Sequence, residues 1–310
     1  MKRASIDLGT NTCLLLIQEC SDEGETVLHD ESNIVRLGEG VASSGKLSLA
    51  AMERAQACLQ SYTQILRQHE ILGSNVVAVA TAQARDASNA TAFFDSIEQA
   101  TGIRFRILSG DEEAKATFLG AAPADVQASR SVVMDIGGGS TELVAIPVGK
   151  NEIFGESLSI GAVKLTELYL KSDPVTDEEY WQCEAAIDQA LQKMKSWRQT
   201  LHSSMSEEPV LISVAGTAVT LAMLQEGLEF YDQSKIDGVT LTQGDVHRLV
   251  EELKWRTVEE RKRMPGMEAK RADVILAGSM IFWRVMEELS FKEARVSTRG
   301  LRYGVFELSK

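Results

Sequence analysis

Two short segments of this chain carry residue types suited to gripping a phosphoryl group. Ser5-Ile6-Asp7-Leu8-Gly9-Thr10-Asn11-Thr12 lies near the start, and Val133-Met134-Asp135-Ile136-Gly137-Gly138-Gly139-Ser140 repeats the pattern without a gap 128 positions later. Each copy is an apolar run ending on one Asp, then a turn of glycine and small polar residues. A second apolar run follows, from Leu14 to Ile17 or from Leu143 to Ile146. Glycine lets backbone N–H groups approach an anion closely. Thr10, Asn11 and Thr12 in one copy, and Gly137, Gly138, Gly139, Ser140 and Thr141 in the other, offer neutral donors to phosphate oxygens. A buried Asp at a strand end needs a partner, and a divalent cation held against phosphate supplies one. Asp7, Asp135 and Glu142 are therefore the expected metal-side carboxylates, with Mg2+ or Mn2+ as the ion. A single Asp of this kind is as readily a turn cap, but recurrence in both copies favours the cation role. Two such tips facing each other across a cleft would hold a phosphoryl group from both sides. That arrangement implies phosphoryl transfer or phosphate hydrolysis.

The surrounding pattern predicts the elements that position these tips. Each copy reads as a hairpin, strand–tight turn–strand. After the first come a strand-like segment from Thr26 to Leu37, a helical period from Leu49 to Leu72 and a short strand from Val76 to Ala80. Helix from Thr91 to Ala100, strand from Arg104 to Leu108 and helix from Glu112 to Leu119 follow. The second hairpin restarts the pattern at Ser131. A helix from Thr176 to Leu201 opens on Thr176-Asp177-Glu178-Glu179, a capping-box start. Val210 to Val214 reads as a strand, Gly216-Thr217 turns into the next helix, Ala272 to Leu289 is helical, and Ala294 to Ser297 closes as a strand. The fold class is α/β, in layered sheets and helices. At 310 residues the chain exceeds one comfortable core, so two domains are expected. The boundary falls near Pro123 to Ser129, giving domains 1–125 and 126–310, with the closing helix free to pack back on the first.

Composition excludes several classes. With 44% apolar and 25% charged residues the chain is ordinary globular protein. No stretch approaches the roughly 20 apolar residues of a membrane helix, and Asp7 and Asn11 interrupt any leader-like apolar run after Lys2-Arg3. Cys13, Cys20, Cys58 and Cys183 show neither metal spacing nor a disulfide framework, which suits reduced thiols in the cytoplasm. The four histidines, His29, His69, His202 and His247, are scattered and take no role. A net charge of −13 opposes long-range attraction of a polyanion, so a local basic site or a metal must overcome it. The strongest basic stretch is Lys254, Arg256, Arg261, Lys262, Arg263, Lys270 and Arg271. It reads either as a solvated helix face or as a guide for a polyanion. No nucleic-acid reader motif accompanies it.

The duplicated hairpin resembles the phosphate-1 and phosphate-2 loops of the actin and sugar-kinase superfamily, with two ribonuclease H-like (actin-like ATPase) domains and an interdomain cleft. Further segments narrow the resemblance. Ala80-Thr81-Ala82-Gln83-Ala84-Arg85-Asp86-Ala87, Ser109-Gly110-Asp111-Glu112-Glu113-Ala114 and Asp135-Ile136-Gly137-Gly138-Gly139-Ser140-Thr141-Glu142 occur in order. Ser159 to Glu167, Ala215-Gly216-Thr217-Ala218, Arg271 to Gly278 and Ser297 to Gly304 follow. The series is similar to the exopolyphosphatase / guanosine-pentaphosphate phosphohydrolase (Ppx/GppA) family and spans nearly the whole chain.

Several assignments come from this resemblance. Glu113 matches the family's catalytic Glu, the base that orients the attacking water; alone, an acidic pair at a helix start reads as dipole complementation. Glu112 then becomes the capping charge. Arg85 resembles the phosphate-contacting arginine, whose fork can bind two oxygens. Gly216 and Thr217 match the position that binds nucleotide or distal phosphates, and Arg271 lies in a family-like segment. The implied activity is release of terminal phosphate from inorganic polyphosphate, or from guanosine pentaphosphate (pppGpp), by a cytoplasmic homodimer. A superfamily sugar or acid kinase and a non-catalytic nucleotide sensor are the other classes; intact Glu113, Asp135 and Glu142 argue against the sensor. Two departures stand out. Longer members carry an extra C-terminal helical domain, so reduced processivity on long chains is expected here. Lys235-Ile236-Asp237-Gly238 stands where many relatives have a His-Gly pair.

Overall fold

The computed structural model describes residues 1–21, 24–121, 130–146, 154–204 and 208–308. They divide into two units: Met1–Gly120 with Leu301–Lys310, and Ala121–Gly300. The expected boundary from Pro123 to Ser129 lies outside the described residues.

In the first unit, strand β1 (Lys2–Leu8) folds back on β2 (Thr12–Ser21), setting Asp7 opposite Leu14, and the Gly9 N–H donates to the Thr12 carbonyl at 2.9 Å. Strand β3 (Gly24–Ile34) adds the outer edge, where charged Glu25 and Asp30 discourage further pairing. Helix α1 (Val41–Ser44) and helix α2 (Leu49–Gln68) follow. Ser48 caps α2 by accepting from the Ala51 N–H, and Ala51, Ala55, Leu59, Tyr62 and Leu66 form its buried stripe at helical spacing. Strand β4 (Val76–Ala80) lies parallel to β1, then come α3 (Ala82–Asp86), α4 (Ala90–Thr101), β5 (Phe105–Ile107) and α5 (Gly110–Ala121). The sheet order is β3-β2-β1-β4-β5.

The short C-terminal helix Leu301–Gly304 also belongs to this unit. Leu301 and Val305 pack with Val79, Leu108 and Ala116, while Tyr303 and Phe306 pack with Leu16. Arg302 grips Asp30 with both Nε (3.0 Å) and Nη2 (2.9 Å). Gly304 is required by close approach, because a Cβ there would overlap the Ala116 carbonyl.

The second unit repeats the design. Strands β6 (Ser131–Ile136), β7 (Thr141–Ala145) and β8 (Phe154–Leu158) form an antiparallel meander, followed by α6 (Ala162–Tyr169), α7 (Asp177–Leu191) and α8 (Met194–Ser204). Strand β9 (Val210–Val214) lies parallel to β6 and runs into α9 (Ala215–Glu226). Helix α10 (Gln233–Ile236), β10 (Thr240–Thr242), α11 (Gln243–Lys254), α12 (Val258–Arg261), α13 (Ile275–Leu289) and β11 (Glu293–Val296) complete it. The sheet order β10-β11-β9-β6-β7-β8 is that of the first unit with β10 added at one edge. Helix α13 is buried on nearly every side and organises the core of this unit. No helix among the described residues is long and apolar enough to cross a membrane.

One expectation is corrected. The helix predicted from Thr176 to Leu201 is two helices, interrupted after Leu191. Its buried face nonetheless continues, through Tyr180, Cys183, Ile187 and Leu191 to Met194, Trp197 and Leu201, so the hydrophobic period runs unbroken across the interruption. The capping box of Thr176 and Glu179 forms as its spacing predicts.

Candidate active site

In the first unit the expected residues gather around one carboxylate. Glu113 stands in the first turn of α5, its N–H bonded to the Ser109 carbonyl. Its side chain is buried, and Arg85 Nη1 donates to Glu113 Oε2 at 2.7 Å and to the Leu108 carbonyl at 2.9 Å. Burial pushes the Glu113 carboxyl above its usual range, against the pull of Arg85. Asp7, at the end of β1, is pushed up to about 7 by burial first and by the neighbouring charge of Glu113, with Arg302 acting in the opposite sense. Among the described residues no hydrogen bond reaches the Asp7 carboxylate. Such a group calls for positive charge.

The turn beside it is rigidly built. The Asn11 carbonyl accepts from the N–H groups of Val35 and Arg36, and the Thr10 carbonyl accepts from Gly38. Among the described residues no donor reaches the buried side-chain Oδ1 of Asn11. Glu112 takes the expected capping part: Ser109 N–H donates to it at 2.9 Å and holds its carboxyl below the usual range, with Arg106 as its ion partner.

In the second unit, Asp135 on β6 stands opposite Glu142 on β7, and Glu142 stands opposite Ser157 on β8. The three form one row across three strands. Ser157 Oγ donates to Glu142 Oε1 at 2.8 Å, and Glu142 is buried. The Gly137 N–H donates to the Ser140 carbonyl, the same turn bond as Gly9 to Thr12. The carbonyls of Gly137 and Gly138 accept from the N–H groups of Ala162, Val163 and Lys164 at the start of α6. That helix thereby fixes the back of the glycine loop. Thr141 Oγ1 donates to the Ile160 carbonyl.

Gly216 touches Arg271, whose guanidinium lies where a Cβ on Gly216 would be, while Arg271 Nε donates to Glu268 at 2.9 Å. The Thr217 side chain packs against Gly278. Ala215, just before, holds φ at 65°, a strained left-handed conformation where β9 turns into α9.

The basic stretch differs from the guiding surface considered above. Arg261 is buried and donates to the carbonyls of Leu253 and Ala272, so it braces the fold. Lys254 is also buried and pairs with Asp177 at 2.8 Å, Arg256 pairs with Glu252, and Lys262 with Glu259. Desolvation and local carboxylates consume most of its charge. Ser157 is not identified from sequence. It sits on a mostly exposed strand without an apolar signal.

The Ppx/GppA phosphatase family matches residues 16–309. This chain belongs to that family. Exopolyphosphatase 2 of Mycobacterium tuberculosis is 32% identical to it over 304 residues, covering 92% of this chain and 90% of the relative. The bifunctional 3-dehydroquinate synthase/phosphatase of Fusobacterium nucleatum is 30% identical over 297 residues; the alignment takes in 92% of this chain but only 43% of that larger protein. The crystal structure of an exopolyphosphatase from Cytophaga hutchinsonii superposes with a TM-score of 0.88 at 29% identity, covering 100% of this chain and 97% of that one.

As a Ppx/GppA protein the chain is a phosphoanhydride hydrolase built on two actin-like α/β units. The donor chemistry fits a hard dication. Carboxylates Asp7, Asp135 and Glu142 and the orphan amide oxygen of Asn11 are oxygen ligands of the kind Mg2+ takes. Among the described residues no three His, Cys, Asp or Glu side chains form a cage. A Mg2+ ion that keeps several waters and binds substrate oxygens needs none.

Proposed function

We propose that this chain is an exopolyphosphatase that removes the terminal phosphate of inorganic polyphosphate as orthophosphate, with Mg2+ or Mn2+ as cofactor. The observation that carries the reading is Glu113: a buried carboxylate with a raised pKa, clamped by Arg85 and close in charge to Asp7 at the hairpin tip. The names borne by its relatives support the polyphosphate assignment.

Glu113 orients a water molecule and takes its proton as the water oxygen attacks the terminal phosphorus. The bridging P–O bond breaks, leaving orthophosphate and a chain one phosphate shorter. Arg85 keeps Glu113 ionised enough to act as a base and fixes which oxygen faces outward. Thr10, Asn11 and Thr12, together with Gly137 to Thr141, donate to phosphate oxygens. Gly216, Thr217 and Arg271 meet phosphates further along the chain. Asp7 in the first unit, and Asp135 and Glu142 in the second, are the carboxylates that would hold the cation, which would neutralise charge on the phosphate oxygens.

The test is orthophosphate release from short polyphosphate, long polyphosphate and pppGpp in Mg2+. Polyphosphate turnover without a nucleotide or sugar acceptor supports the hydrolase. Phosphorylation of an acceptor from ATP, with no release from polyphosphate, would support the kinase alternative. Preference for pppGpp would move the substrate assignment within the family. Four free thiols suit a cytoplasmic setting, and the expected homodimer is checked by light scattering.

A further inference from the structure

We infer that Arg54, on α2, is a positioning residue for the first phosphate loop, acting through the segment Val35 to Gly38, which straps the back of the hairpin turn. Its role deepens the reading of Thr10, Asn11 and Thr12 as phosphate donors and rests on it. The bonds run without a break from the guanidinium to the turn. The Thr10 carbonyl accepts from the Gly38 N–H at 2.9 Å, and the Asn11 carbonyl accepts from the N–H groups of Val35 (2.9 Å) and Arg36 (3.0 Å). Arg36 holds φ at 51°, a left-handed conformation that few non-glycine residues adopt. Such a residue lets successive N–H groups converge on one acceptor, as they do in an anion-binding nest.

From the other side, Arg54 Nε donates to the Val35 carbonyl at 2.8 Å and Nη2 donates to the Arg36 carbonyl at 3.1 Å. Glu39 accepts from the same Nη2 at 2.6 Å and so aims the guanidinium. The Val35–Arg36 peptide is therefore held at both ends, its oxygen by Arg54 and its N–H by Asn11. A cation on the oxygen polarises the peptide and strengthens the bond its N–H makes. Val35 and Leu37 anchor the strap in the core, and it lies tight on the turn: a Cβ on Gly38 would stand 2.4 Å from Thr10 Cγ2.

Peptide planarity carries this to the site. In a trans peptide the C=O and the following N–H point in opposite directions. With the carbonyls of Thr10 and Asn11 turned into the strap, the N–H groups of Asn11 and Thr12 are turned to the opposite face, as donors for a phosphate oxygen. In the second unit the carbonyls of Gly137 and Gly138 are held by backbone N–H groups of α6, so no side chain takes this part there.

The experiment compares Arg54→Ala, Arg54→Lys and Leu66→Ala, the last removing a buried side chain about 18 Å further along the same helix. Each is measured for orthophosphate release from short polyphosphate in Mg2+, for inhibition by orthophosphate, for Tm, and for amide hydrogen exchange over residues 8–14 without substrate. Arg54→Ala is expected to lower kcat/KM about 10-fold, weaken orthophosphate inhibition about fivefold and speed exchange over 8–14. Arg54→Lys, which keeps the charge but loses the fork, should fall between it and wild type. Leu66→Ala should lower Tm while leaving the kinetic constants within about twofold and exchange over 8–14 less affected. Wild-type kinetics or exchange in a folded Arg54→Ala protein, or losses that Leu66→Ala reproduces, overturn the Arg54 assignment. A wild type that releases nothing from polyphosphate overturns the substrate reading instead, and the exchange comparison still decides Arg54. If the Ala variant fails to fold, Arg54→Lys against Leu66→Ala carries the same test.

Discussion

Asp135 stands directly across the β6–β7 ladder from Glu142, where the first hairpin sets Asp7 across from Leu14. The duplicated hairpins are thus unequal: one tip carries a carboxylate pair braced by Ser157, the other a single carboxylate near the base.

That inequality predicts the metal response. Asp135→Asn and Glu142→Gln should each raise the Mg2+ concentration for half-maximal activity by at least about tenfold and shrink the Mg2+-induced rise in Tm. Ser157→Ala, which removes the hydroxyl donating to Glu142 Oε1, should act in the same direction but more weakly. Variants that stay folded and titrate like wild type in both assays would contradict the assignment.

Arg85 sets the pH range of the base. Burial raises the Glu113 pKa and Arg85 opposes it, so losing Arg85 moves the pKa further up. A base must be deprotonated to act, so the acid limb of kcat/KM falls away as pH drops through that pKa. Arg85→Ala should shift the limb to higher pH, with partial recovery of rate as pH is raised; Arg85→Lys should shift it less. An unmoved limb in an otherwise slower Arg85→Ala enzyme would leave Arg85 acting on substrate only.

Much of the scaffold was legible because it is written in local periodicity. The two hairpins, strands Val76–Ala80 and Val210–Val214, and the Thr176 capping box depend on neighbours within a few positions. The interruption after Leu191 was not, because the apolar face passes through it unchanged. Of the candidate site, Asp7, Asp135 and the glycine loop showed in the repeat, and Glu113 only through family resemblance. Arg85 clamping Glu113 28 positions away, and Arg261 turning inward to brace carbonyls, are contacts set by tertiary packing; the charge run read the second as a solvated face or a guide.

The glycine loop tolerates little behind it. A Cβ on Gly161 would lie 2.5 Å from the backbone of Gly138 and Gly139, although its φ of −150° is open to any residue. Gly161→Ala should therefore cost about 1–3 kcal/mol of stability by overpacking and lower turnover by displacing the loop. Gly73→Ala, with nothing within 4 Å, is the control and should be silent in both. Equal Tm and turnover for the two variants would show that the loop yields freely.

The central claim is that Glu113 is the base of a polyphosphate-hydrolysing site, and single-turnover orthophosphate release by wild type and Glu113→Gln measures it most directly. With short polyphosphate and saturating Mg2+, wild type should release orthophosphate, and Glu113→Gln should be slower by roughly 10²–10⁴ while still binding substrate. Glu113→Gln turning over at near the wild-type rate, or a folded wild type that releases nothing from polyphosphate, would contradict it.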